Sequence, residues 1–101
     1  MGYDIHIRRG GEKITLEEWL RYVESDSQIQ RDPQNNATDF LFVAHPKEPA
    51  PLWWQPRRSE IYTKDPDKAT VQKMIEIAQK IGARVQGDEG EFYDDTSKIA
   101  D

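Results

Sequence analysis

Two histidines, one acidic run and one tryptophan–arginine stretch are the parts of this chain whose residue types suit chemistry. His6 and His45, taken with Asp4 or Asp39, offer donors for a metal site or an acid–base pair. A zinc centre takes three or four ligands. The chain has no His-x-x-x-His spacing and no cysteine. The pattern therefore places His6 on the solvent face of a strand, opposite Ile5 and Ile7, and His45 at a strand end before Pro46. No metal, cofactor or catalytic residue is expected.

The acidic run is Asp88, Glu89, Glu91, Asp94 and Asp95. It lacks the Asp-x-Asp-x-Asp-Gly order and closing glutamate of a calcium loop. It reads either as an anionic recognition surface, since charge of one sign steers partners of the other, or as a solvated turn and frayed tail.

Trp53-Trp54-Gln55-Pro56-Arg57-Arg58 joins aromatics that stack on bases to arginines that meet phosphates. Adjacent strand residues point to opposite faces, so one tryptophan belongs to the core face and the other is open to exposure. The competing reading is a core tryptophan with Arg57 and Arg58 as solvated turn charges. Nucleophile motifs are missing: Ser25, Ser27, Ser59 and Ser97 sit in no Gly-x-Ser-x-Gly frame. Gly10-Gly11 is too short for a phosphate loop. Enzymatic activity is not expected.

The elements that must position these residues follow from periodicity. Tyr3, Ile5 and Ile7 alternate with Asp4, His6 and Arg8, which predicts a half-buried strand ended by Gly10-Gly11. Thr15 and Glu18 form a Thr-x-x-Glu capping box, with Ile14 and Trp19 as its hydrophobic staple. Leu16, Trp19, Leu20 and Val23 share one helix face, and the helix should end near Ser25. Residues 26–38 read as a polar loop, and Phe40 to Ala44 as a short central strand. Four prolines between 46 and 56 argue for loop or edge, with a short strand at Leu52–Gln55 pairing one at Ser59–Thr63. Asp65 and Pro66 predict the cap and first turn of a second helix. Its face is Val71, Met74, Ile75, Ala78 and Ile81, and Gly82 is its stop. Ala83–Gln86 and Glu91–Tyr93 flank a glycine-bounded turn.

This order predicts an α+β fold, two helices on a mostly antiparallel sheet, with a single domain over 1–93 and an acidic tail over 94–101. The chain has 101 residues, 36% hydrophobic and 33% charged, which is polar for a globule. Its aromatic and β-branched residues are nonetheless grouped in periodic segments that make a small core. Residues 1–87 hold equal numbers of acids and bases, so the net charge of −5 falls entirely in the last fourteen residues. The acidic balance argues against general binding to a phosphate backbone. The absence of cysteine fits a reducing compartment. No apolar run is long enough to span a membrane. No signal segment is expected at the start, and His6 stands where a myristoylation signal has serine or threonine.

Three stretches together resemble a known group: Gly2-Tyr3-Asp4-Ile5-His6-Ile7, Ile14-Thr15-Leu16-Glu17-Glu18-Trp19, and Gly87-Asp88-Glu89-Gly90-Glu91-Phe92-Tyr93. With the helix at 67–82, they resemble small bacterial cytoplasmic proteins of polymorphic-toxin and contact-dependent inhibition loci. That resemblance implies an immunity-type inhibitor that binds a cognate toxin domain. The expected partner is a basic toxin, of nuclease type, with no membrane and no nucleic acid involved. The residues expected to bind it are Asp88, Glu89, Glu91, Asp94 and Asp95 for charge, with Trp53 or Trp54 as anchor. The alternative is a small nucleic-acid-binding module using Trp53 to Arg58.

Overall fold

The computed structural model describes residues 3–97 and Ile99. Met1, Gly2, Lys98, Ala100 and Asp101 lie outside the described residues. With them go the Gly2 of the first resembling stretch, the myristoylation reading and part of the 94–101 tail.

Alternating side chains build the first strand, β1, over Asp4–Arg8. Helix α1 spans Leu16–Glu24. Two antiparallel pairs follow: β2 (Ile29–Arg31) with β3 (Asp39–Phe42), and β4 (Ala50–Gln55) with β5 (Glu60–Lys64). Helix α2 spans Lys68–Ile81, and β6 (Arg84–Gly87) and β7 (Phe92–Tyr93) close the chain. All described strands join one antiparallel sheet in the order β2-β3-β4-β5-β1-β6-β7. The fold is α+β, as the sequence predicts. No described helix is long and apolar enough to cross a membrane.

One sheet face makes the core. Ile5, Ile7, Phe40, Phe42, Leu52, Ile61 and Val85 are buried there with Trp19 of α1 and Val71, Met74 and Ile77 of α2. Trp19 stacks on Tyr22 and meets the Phe40 ring edge-on, with centroids 5.7 and 5.6 Å away. Aromatic pairs in these offset arrangements add to plain area burial. The opposite face carries no helix among the described residues.

The start of α1 is only half of the expected capping box. Thr15 Oγ1 accepts from the Glu18 amide at 3.1 Å. The Glu18 carboxylate does not return to Thr15. Both its oxygens go to Arg9, whose guanidinium also donates to the Ile81 carbonyl and so joins the ends of β1 and α2 to α1. Thr15→Ala should therefore cost about 1 kcal/mol, read as a lower urea midpoint at unchanged slope. A midpoint equal to wild type would show that Arg9, not the cap, holds this terminus.

Three expectations are corrected. The cap of α2 is Asp67, not Asp65: Asp67 Oδ1 accepts from the Thr70 amide and hydroxyl. Asp65 instead takes a left-handed backbone (φ 45°) and accepts from the Tyr3 amide. The 26–38 segment is not all loop. Ile29, its one large apolar residue, is opposite Phe42 and buried, which makes β2 an edge strand. Strand β4 begins at Ala50 and includes Pro51, inside the sheet rather than at its edge. Pro51 keeps a place there near the strand start, its carbonyl accepting from Thr63 Oγ1 at 2.7 Å.

One buried polar network has no counterpart in the sequence reading. Lys73 of α2 is 4% exposed, and its Nζ lies 2.8 Å from Asp26 Oδ2 and 2.8 Å from Gln28 Oε1. Asp26 also accepts from the Tyr22 hydroxyl and the Gln28 amide. The network ties the end of α1 and the lead into β2 onto α2.

Candidate functional site

The helix-free face is built from the residues that alternate with the core. On β1 these are Asp4, His6 and Arg8. Their neighbours across β5 are Lys64, Tyr62 and Glu60, and across β4 come Trp53 and Gln55. A cleft of about 450 Å³ opens there. His6, Glu60 and Tyr62 are among its lining residues, with Asp4 and Asp88, and with Arg57, Arg58 and Lys64.

His6 is the centre of this site. It is only 6% exposed, which corrects the expected solvent-facing position. Its face of the sheet is the expected one, but neighbouring side chains cover it. Nε2 lies 2.9 Å from Asp88 Oδ1, and Nδ1 faces Glu60 Oε1 at 3.1 Å, off the line of a good hydrogen bond. Burial alone would lower the His6 pKa, but the Glu60 and Asp88 carboxylates outweigh it and raise it.

Glu60 is 3% exposed and is gripped by Arg8, Nε to Oε2 at 2.6 Å and Nη2 to Oε1 at 2.9 Å. Burial would raise its carboxyl, yet His6 and Arg8 pull it down to about 2. Fork-shaped arginine–carboxylate pairing of this kind fixes orientation as well as charge.

Asp88 reaches this site from the turn between β6 and β7. Gly90 supplies the left-handed residue of that turn (φ 86°), and Gln86 Nε2 donates to its carbonyl. The turn aims Asp88 back at β1, where Oδ2 accepts from the Asp4 amide at 2.9 Å. Hydrogen bonds from His6 and from that amide hold the Asp88 carboxyl below its ordinary range. Glu91 turns the other way and accepts from the hydroxyls of Tyr3 and Tyr93. The first and last of the three resembling stretches, more than eighty residues apart, therefore lock together.

The predicted acidic surface thus divides. Asp88 and Glu91 are engaged within the fold. Asp94 pairs with Arg84 at 3.1 Å, and Asp95 accepts from the Ser97 amide. Glu89 stands exposed at the turn. The two tryptophans divide as well. Trp53 is on the helix-free face, its ring 5.3 Å from that of Tyr62, which is in turn 6.2 Å from His6. Trp54 points to the core side and donates from Nε1 to the Ile14 carbonyl at 2.9 Å.

His45 is not part of this site. Its Nε2 meets Asp67 at 2.7 Å and its Nδ1 accepts from the Lys47 amide, which pins the loop after β3 to the start of α2. Asp39 accepts from the Asn36 amide. Glu60, Arg8 and Tyr62 were missed as site residues. Their signal was the shared parity of Asp4-His6-Arg8 and Glu60-Tyr62-Lys64, which reads from sequence as an ordinary solvated face.

Chemically, the cleft has an imidazole between two carboxylates, but no serine, threonine or cysteine lines it. It has charged groups of both signs and an aromatic row suited to recognition. Comparison with protein-family models, curated proteins and solved structures finds no match to this chain.

Proposed function

We propose that this chain is an immunity-type binding protein, acting in the bacterial cytoplasm, that neutralises a cognate basic toxin domain by covering its active site. The observation that carries this reading is Trp53. It sits on a helix-free sheet face beside a cleft of mixed charge, while Trp54 is committed to the core side. An aromatic anchor on a rigid sheet supplies affinity at little cost in ordering. Asp4 and Asp88 at the cleft, with Glu89 at the exposed turn, offer carboxylates to the lysines and arginines of a nuclease-type cleft. Charge of this sign speeds the encounter.

Co-expression with the product of the adjacent gene tests the proposal. A complex in a low-salt pull-down, and rescue from that gene's toxicity, are expected. Neither complex nor rescue would sink it. Because Asp88 and Glu91 hold the fold, charge steering is best read from Glu89→Lys, which should slow association and leave the urea midpoint unchanged. An unchanged association rate would remove the turn from the encounter surface.

A second reading keeps one observation of its own. Arg57 and Arg58 are exposed in the turn between β4 and β5, line the cleft with Tyr62, the ring neighbour of Trp53, and form no side-chain ion pair among the described residues. A single-stranded nucleic acid stacked on Trp53 would use them for its phosphates. That reading requires tryptophan fluorescence to be quenched by single-stranded oligonucleotide, with the effect lost in Arg57→Ala/Arg58→Ala. Unchanged fluorescence discards it.

A further inference from the structure

The geometry points to a divalent-cation site formed by Asp4, His6 and Asp88 on the helix-free face, suited to a first-row ion such as zinc. One ligand atom from each of the three residues lies within 4.8 Å of the others. One imidazole nitrogen and two carboxylate oxygens are a donor set that zinc accepts, and a site with three protein ligands leaves a position for water.

Two features of the cleft argue for a cation rather than a chance cluster. Asp4 Oδ1 is buried and has no hydrogen-bond partner. Buried polar atoms are nearly always paired, so an orphaned carboxylate oxygen beside a second carboxylate and an imidazole calls for a positive partner. The imidazole is also mounted as a metal ligand would be. Nδ1 faces Glu60, itself clamped by Arg8, and this leaves Nε2 directed at the Asp88 carboxylate beside the cleft. Glu60 acts on the ring by its charge at 3.1 Å rather than through an aligned hydrogen bond, and that charge favours a cation on the imidazole.

On binding, the ion replaces the proton between His6 Nε2 and Asp88 Oδ1, and that proton leaves to solvent. Asp88 is kept in place meanwhile, because its other oxygen is held by the Asp4 amide. Arg57, Arg58 and Lys64 line the same cleft and oppose a cation. The affinity is therefore set by the three ligands against three neighbouring positive charges, and micromolar binding is expected rather than the far tighter binding of closed structural zinc sites. The inference does not depend on the toxin-binding proposal, since it needs only the isolated chain.

Isothermal titration of the full chain with zinc chloride at neutral pH is the test, with magnesium as the contrast. Zinc should bind as one ion per chain, with magnesium much weaker because imidazole is a poor magnesium ligand. Asp4→Asn and His6→Gln should each weaken zinc binding by more than about tenfold. Asp67→Asn, at the separate His45 contact, should leave it unchanged. Cobalt(II) substitution adds a direct readout, a visible absorption band that the Asp4→Asn protein should lack. If circular dichroism shows that His6→Gln does not fold, Asp4→Asn decides, since the Oδ1 it alters has no partner in the fold. No zinc uptake, or uptake undiminished in Asp4→Asn, overturns the assignment.

Discussion

Lys73→Ala is expected to destabilise the protein by about 3–5 kcal/mol, the usual cost of leaving a buried charge without its partner. Small domains are stable by about 5–15 kcal/mol in total, so this single change brings the fold near its limit. The cause is the ammonium 2.8 Å from Asp26, with Lys73 at 4% and Asp26 at 8% exposure. Without Lys73, the Asp26 carboxylate keeps the Tyr22 hydroxyl and the Gln28 amide but loses its counter-charge. Lys73→Met combined with Asp26→Leu should be milder than Lys73→Ala alone, because buried pairs replaced by apolar groups are often neutral.

The effect has a defined pH dependence. Burial would raise the Asp26 carboxyl, but Lys73 and Tyr22 outweigh it and hold it below the ordinary range. A depressed folded pKa gives stability that is present above the unfolded value of about 3.9 and is lost as pH falls below it. In Lys73→Ala the same buried carboxyl prefers its proton, so acid favours the variant. The gap in urea midpoint between wild type and Lys73→Ala should therefore narrow from neutral pH towards about pH 4. A gap of constant size would mean that Asp26 is not the group left stranded.

Trp53→Ala should weaken binding of the proposed toxin partner by about 30- to 1,000-fold, or about 2–4 kcal/mol, the range of a central aromatic anchor. Its fold should be little changed, because the ring stands on the helix-free face against Tyr62 alone among the described aromatic rings. Trp54→Ala should do the reverse. It removes a ring packed against the core and a hydrogen bond to the Ile14 carbonyl, at a cost of about 3 kcal/mol of stability. Titration of the partner and urea unfolding of both variants separate the two roles. Full affinity in Trp53→Ala would remove the anchor and with it the proposed docking face.

These two tryptophans show where sequence reasoning stops. Strand parity states that they face opposite ways, but not which faces the core, since both are equally apolar. That is decided by registry, with Trp54 opposite Ile61 and Trp53 opposite Tyr62. The cap of α2 shows a different limit. Asp65-Pro66 and Asp67 both satisfy helix-start chemistry, and the choice falls to Asp67 because Asp65 is drawn to the Tyr3 amide across the chain. Strand β2 has a single large apolar residue, too little for a period, and forms because β3 presents an unpaired edge.

The sequence by itself determined what is local. The helix faces of α1 and α2, the Gly82 stop, the Thr15 cap and the alternation of β1 all depend on residues within one or two turns of each other. It also located the aromatic and acidic residues worth testing. Only the tertiary structure decided their partners. His6 meets Asp88 across 82 positions and Arg8 meets Glu60 across 52, because β1 inserts between β5 and β6. A polar residue alternating on a strand has the same pattern whether it faces water or a buried counter-charge. The run that carries the net charge was therefore legible as acidic, but not as partly enclosed. Asp88 and Glu91 are held by groups at the opposite end of the chain, which no local pattern encodes.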